Sequence, residues 1–270
     1  MDDIDQDGIS KFKANQKIAW ASFALLENLT GTAAPHLIHF AGIHSGQKVL
    51  DVACGTGVVT LTAARTGAAV QGIDLTPELI VHARENAALM GLTATFQEGD
   101  AEALPFPDAS FDVVVSQFGH MFAPRPDVAI AQMLRVLKPG GTIAFSTWPT
   151  ELFTGRWFAL MGRYAPPPPA GVSPPPQWGD PNIVRERLGA AVRDLAFTRN
   201  TMFFPTLSPQ HYRVQMAENF GPAKKLFENL NANEPAKAAA LRHEIDLLAS
   251  AYFEDNRVRQ DFLITRAVKN

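Results

Sequence analysis

The stretch Val49-Leu50-Asp51-Val52-Ala53-Cys54-Gly55-Thr56-Gly57-Val58-Val59-Thr60 narrows the choice of folds more than any other in the chain. It opens with β-branched and long apolar residues, the pattern of a strand buried on both faces. It then breaks into a turn with two glycines and enters an apolar run, 58–65, of helical length. Such a turn suits ligand binding. Glycines lack Cβ and reach positive φ, so the backbone can approach a ligand closely, and the free N–H groups at the helix start face it. In the dinucleotide-binding form of this unit the pattern is G-x-G-x-x-G, whereas here Thr60 occupies the third glycine's place and Asp51 stands just before the turn. Beside that carboxylate a pyrophosphate is disfavoured and an ammonium group is welcome.

The following residues repeat the alternation of strand and helix. Residues 69–73 read as a second buried strand ending at Asp74, after Gly67 closes the first helix. A carboxylate at that strand tip can accept both hydroxyls of a ribose, in dinucleotide and other nucleoside sites alike. Thr76-Pro77-Glu78 carries an N-cap, a proline at the first helical position and an early acid, and Gly91 ends that helix. Strands are expected at 93–97, 111–116 and 142–147, with a helix over 126–137 that stops at Lys138-Pro139-Gly140-Gly141. Five strands alternating with helices imply a parallel sheet covered on both faces, with ligands at the carboxyl ends of its strands.

Composition sets the outer limits. With 270 residues, 46% hydrophobic and 19% charged, the chain has the make-up of an ordinary globular protein. Its net charge of -3 offers no general attraction to a phosphate backbone, so nucleic acid is not expected as a partner. The single cysteine, Cys54, excludes an intramolecular disulfide framework and fits a reducing compartment; its place in a tight turn favours a small, inert side chain. No apolar run reaches the length of a membrane span and the acidic start is unlike a signal peptide, so a cytoplasmic location is expected. Asp3-Ile4-Asp5-Gln6-Asp7-Gly8 begins like a calcium loop, but Ala14 stands where the twelfth-position Glu is required. His36 and His39 lie one turn apart with no third ligand in view, and no metal is expected.

Five segments occur in the order and approximate spacing of one family: Asp51–Gly57, Gly72-Ile73-Asp74, Gly99-Asp100-Ala101, Phe111-Asp112-Val113-Val114 and Leu134–Gly141. The chain resembles a class I S-adenosylmethionine (SAM)-dependent methyltransferase, in the broad group that includes the ubiquinone and menaquinone C-methyltransferases. The resemblance covers about residues 10–150 and implies an α/β fold, a Rossmann-like seven-stranded, mostly parallel sheet with helices on both faces and a helical and loop cap. Strands near 195–204 and 258–267 would complete that sheet, the last antiparallel. Residues 1–10 read as a flexible acidic terminus, 11–150 as the SAM-binding core with N-terminal helices, and 151–270 as cap segments plus the last two strands. The proline-rich stretch 166–176 reads as a loop near the site's mouth, and helices are expected across much of 208–252.

For the site, the resemblance implies that Asp51, Ala53, Gly55 and Gly57 support the methionine portion of SAM. It also implies that Asp74 holds the ribose, Leu75 and Ala101 enclose the adenine and Asp100 accepts from its amino group, with Ser116 and Gln117 completing the cofactor site. Because SAM brings its own electrophile, the protein's task is alignment and desolvation for in-line transfer. Phe118, Met121, Phe122, Trp148 and Trp157, with Trp178 as a further cover, suit a small apolar or aromatic substrate. His120 is the candidate general base. The rival readings are an NAD-dependent oxidoreductase, which Asp51 and the missing third glycine disfavour, and a non-catalytic SAM-binding protein.

Overall fold

The computed structural model describes residues 6–21, 23 and 27–270; the start of the acidic terminus, 1–5, lies outside them. Helix α1 spans Gln6–Trp20 and so begins five residues before the position expected from its apolar spacing at Lys11. It is followed by α2 (Glu27–Gly31) and α3 (Ala34–Ala41). The alternating core then runs β1 (Lys48–Val52), α4 (Val58–Ala64), β2 (Ala69–Asp74), α5 (Pro77–Met90), β3 (Thr95–Glu98), β4 (Phe111–Gln117), α6 (Pro126–Val136) and β5 (Leu137–Thr147). Thr76 starts α5 as expected, although its side chain makes no cap; its backbone N–H instead donates to Asp74 Oδ1 at 2.9 Å. In β5, Leu137 pairs with Phe111 and an irregularity then sets Thr142 opposite Val113, so the Lys138–Gly141 turn is absorbed into the strand as a bulge.

The second half contains α7 (Phe153–Tyr164), α8 (Pro181–Leu188), β6 (Val192–Pro205), α9 (Pro209–Asn219), α10 (Gly221–Asn233), α11 (Pro235–Ser250), β7 (Phe253–Glu254) and β8 (Arg257–Lys269). The sheet order is β3-β2-β1-β4-β5-β8-β6, with two-residue β7 pairing on β8. That makes eight strands where seven are expected, the extra one being this short hairpin. β1 to β5 pair in parallel and β8 runs antiparallel between β5 and β6.

Burial explains the composition of the strands. Val49, Leu50 and Val52 of β1 are fully buried, as are Val114 and Val115 beside them on β4 and Leu37 on α3. Each such side chain contributes about 1.5–3 kcal/mol relative to exposure. A second cluster lies under the cap, where Phe153 and Trp157 of α7 meet Tyr212 of α9, Leu241 and Ile245 of α11 and Val258 of β8. The proline-rich stretch ends in a 3-10 helix, Pro175–Gly179, whose Trp178 is tucked against Phe145 of β5. Trp178 lines neither of the cavities described below, while the Ser173 N–H earlier in the stretch donates to the carbonyl of Pro124, which borders the cleft. His36 and His39 are exposed on α3. Among the described residues no helix is long and apolar enough to cross a membrane.

Candidate active site

At the carboxyl ends of β1 to β4 the chain encloses a cleft of about 1000 Å³. Its floor is the turn after β1, where Ala53, Gly55 and Gly57 all take positive φ (56°, 55° and 84°). Gly55 faces the cleft, but Gly57 does not line it: a Cβ there would lie 3.0 Å from Phe96 Cε1, so that glycine lets α4 start against β3. Gly119 allows a second close approach, since its Cβ would fall 2.5 Å from that of Ala53. The turns after β1 and β4 are thereby packed against each other.

Three acids ring the cleft. Asp51 is buried, with Oδ2 accepting from the Thr60 hydroxyl at 2.6 Å and Oδ1 left without a donor. Burial raises its pKa to about 7; the bonds from Thr60 oppose that rise and the charge of Asp74 adds to it. Asp74 accepts from Gly55 N at 2.8 Å and Thr76 N at 2.9 Å, bonds that partly offset the upward push of its burial. Asp100 accepts from Glu102 N at 2.9 Å and from Lys13 Nζ at 2.6 Å. Lys13 also reaches Glu102, which takes Arg125 as well, so α1 is joined to the tip of β3 by an ion network. Leu75 and Ala101 line the cleft between these acids. Cys54 lines it too, and burial followed by the charges of Asp51 and Asp74 pushes its thiol pKa up, leaving it neutral.

The segment after β4 divides by direction. Gln117 lines the cleft, donating through Nε2 to Thr30 O at 2.9 Å, while its buried Oε1 has no donor. Phe118 holds a left-handed φ of 57° and stacks on Trp148 at 4.0 Å. Strain of that kind in an aromatic residue persists only where the surroundings fix it. Phe118 and Phe122 border the cleft on one side and a second, apolar cavity of about 570 Å³ on the other. Trp148 and Trp157 line that second cavity.

The other residues of the segment point inward. Ser116 is fully buried, donates to Val52 O at 2.7 Å and accepts from His120 N at 3.0 Å; it locks two strand ends and borders neither cavity. Met121 is core. His120 corrects the expectation of a general base: its ring is enclosed between Phe145 at 4.6 Å and Trp178 at 4.8 Å, and neither ring nitrogen has a partner. Burial, assisted by Arg187, lowers its pKa to about 3, so it stays neutral and out of reach.

Several site residues carried no marker in the sequence. Lys13, Gln16 and Trp20 share one face of α1 and line the cleft, and Gln16 Nε2 donates to Phe122 O at 2.9 Å. The helical spacing announces that helix but not what it covers. Thr60, read only as a missing glycine, is the hydroxyl that anchors Asp51.

The sequence model of a methyltransferase-domain family matches residues 49–141, the stretch that builds this cleft. An uncharacterised protein of Mycobacterium tuberculosis is 37% identical over 95% of this chain and 94% of its own. The chain belongs to the class I methyltransferases. Within that family it is similar to the demethylmenaquinone methyltransferase of Tropheryma whipplei, 38% identical over 47% of this chain and 52% of that one. Among solved structures the methyltransferase fold is shared with the Bacillus subtilis YcgJ protein, at 18% identity and a TM-score of 0.60 over 88% of this chain and 98% of that one. It is shared also with a phosphoethanolamine N-methyltransferase of Haemonchus contortus solved with SAM, at 19% identity and a TM-score of 0.55 over 88% and 52%.

Proposed function

We propose that the chain binds SAM in the cleft and transfers its methyl group to a small apolar or aromatic molecule held in the adjoining cavity. The observation that carries this reading is a pair of buried acceptors with no donor, Asp51 Oδ1 and Gln117 Oε1, lining one cleft. Buried polar atoms without partners are rare, and these two fit a ligand that brings N–H donors and positive charge. When bound, SAM supplies a sulfonium methyl that is electrophilic without help from the protein.

The rest falls to side chains of this chain. Asp51 would meet the ammonium end, Asp74 the ribose, and Leu75 and Ala101 the two faces of the adenine. Asp100, already shared with Lys13, would take the adenine amino group. Phe118, Phe122 and Trp20 border both cavities, so they set where an acceptor can approach and keep water from the transfer path. No histidine, lysine or carboxylate among the described residues lines the apolar cavity, and His120 is sealed elsewhere. Catalysis then rests on positioning in a dry chamber, which favours attack by charge-separated reactants. A dinucleotide reading is not favoured, because the two orphaned acceptors would face a pyrophosphate.

Isothermal calorimetry with SAM, S-adenosylhomocysteine (SAH) and NAD tests the reading. SAM and SAH should each saturate one site and NAD should give no heat of binding. Saturable NAD binding with silence toward SAM and SAH would falsify it.

A further inference from the structure

The apolar cavity has one wall that its other residues do not explain. Gln260 of β8 is 4% exposed and Tyr212 of α9 is 2% exposed, and both line the cavity with uncharged polar side chains. Thr154 and Trp157 line it from α7, where a spacing of three puts them on one face, and Thr154 Oγ1 and Trp157 Nε1 are buried without partners. Burial raises the pKa of the Tyr212 phenol, so it remains a donor. Two buried polar groups without partners, with the Gln260 amide and the Tyr212 hydroxyl on the same apolar chamber, call for an occupant that satisfies them.

The backbone fixes where that wall stands. Gln260 pairs with Met202, and Phe262, two residues further along the same face of β8, meets Phe118 edge-on at 5.4 Å. One strand repeat of two residues is about 7 Å, so Gln260 lies roughly the length of a fused ring pair beyond the Phe118 boundary with the cleft. Each of the four groups can donate and none is charged, and among the described residues no charged side chain lines the cavity. A carboxylate, phosphate or ammonium entering this chamber would lose its hydration without a counter-charge.

We propose that Gln260, Tyr212, Thr154 and Trp157 form a recognition site for a neutral oxygen function, a carbonyl or hydroxyl, on a flat apolar substrate. The oxygen held there is a different position of the molecule from the one methylated, because Gln260 stands about 7 Å beyond the Phe118 boundary with the cleft. That this ligand is a methyl acceptor rests on the function proposed above; the binding preference itself does not.

The test titrates the full chain with three ring probes, naphthalene, 2-acetylnaphthalene and 2-naphthoate, with and without SAH, following the fluorescence of the cavity tryptophans. The expected result is that 2-acetylnaphthalene binds about tenfold more tightly than naphthalene, the worth of a net hydrogen bond, while 2-naphthoate fails to compete. In Gln260→Leu and in Tyr212→Phe that ratio should fall to about twofold with SAH affinity unchanged. Both variants should keep a cooperative thermal transition, which separates loss of the ratio from loss of the fold. A ratio near one in the wild-type protein overturns the inference, as does an undiminished ratio in both variants or tighter binding of the naphthoate. A chamber filled only by water gives the first of these. Failure of SAH to bind overturns the proposed function instead and leaves the probe ratio readable.

Discussion

Asp51 is a buried carboxylate to which, among the described residues, only Thr60 donates. Its pKa of about 7 gives both folding and binding a pH dependence, with opposite signs. Below about 7 the free protein keeps a proton there that an unfolded chain, with its ordinary value of 3.8, has released. This group's contribution to stability is therefore full at acid pH and is lost as pH rises through 7. An ammonium ligand selects the ionised form and must expel that proton, so SAH affinity should rise up to about tenfold per unit from pH 5.5 to 7. It should level off there and decline once the ligand's own amine, near 8, deprotonates. Asp74 and Cys54 are the neighbours coupled to this carboxylate, and Asp74 is also shifted upward, so Asp51→Asn is the needed control. Calorimetry across that range should find the slope gone in the variant; an equal slope in both proteins would assign it elsewhere. At this scale the sequence was readable where chemistry is local. Asp51, Asp74 and Asp100 each sit at a strand tip announced by its own few residues. It was unreadable across 116–122, because nothing in Ser-Gln-Phe-Gly-His-Met-Phe reveals that Phe118 turns left-handed and sends Ser116, His120 and Met121 inward.

Helix α1 shows how an element can be legible while its purpose is not. Its apolar spacing gives a helix, but the contacts that matter are Lys13 with Asp100 and Glu102, Lys17 with Glu98, and Gln16 with the Phe122 carbonyl. All lie more than eighty positions away in sequence, where periodicity carries no information. The Glu102 carboxylate is buried and Lys13 is nearly so, which makes this network less screened than a surface pair. Lys13→Met should loosen α1 over the cleft and speed SAH dissociation by about fivefold or more in stopped-flow displacement, since charge-assisted bonds are worth roughly 1.5–3 kcal/mol. Raising salt from about 0.05 to 0.5 M should accelerate release from the wild type and do little further in the variant. Lys138→Met, which breaks a pair with Asp112 at the other end of β4, should leave the rate alone. Equal acceleration by both substitutions would mean general loosening rather than a latch.

For the molecule as a whole, alternation of apolar strands with amphipathic helices was enough to read a parallel sheet, and β6 and β8 emerged within three residues of their expected ends. Phe118, Phe122, Trp148 and Trp157 of the apolar chamber were named from the sequence, but its full outline was not readable, because the other walls come from α1, α7, α9 and β8, brought together only by the closed fold. β8 is central to that closure. It supplies Phe262 beneath the Phe118–Trp148 pair and joins β5 to β6. Removal of residues 257–270 should therefore abolish the cooperative thermal transition, not merely lower its midpoint; a sharp transition in the truncated protein would show the sheet to be stable without its seam. The position of this strand also has a consequence for the order of events during synthesis. β5 and the fourteen residues of β6 leave the ribosome before β8 exists, so β5 waits with one open edge and β6 with two. The sheet cannot grow outward strand by strand as it is translated, and the nascent chain must keep those edges from meeting another chain until its last strand slides in between them.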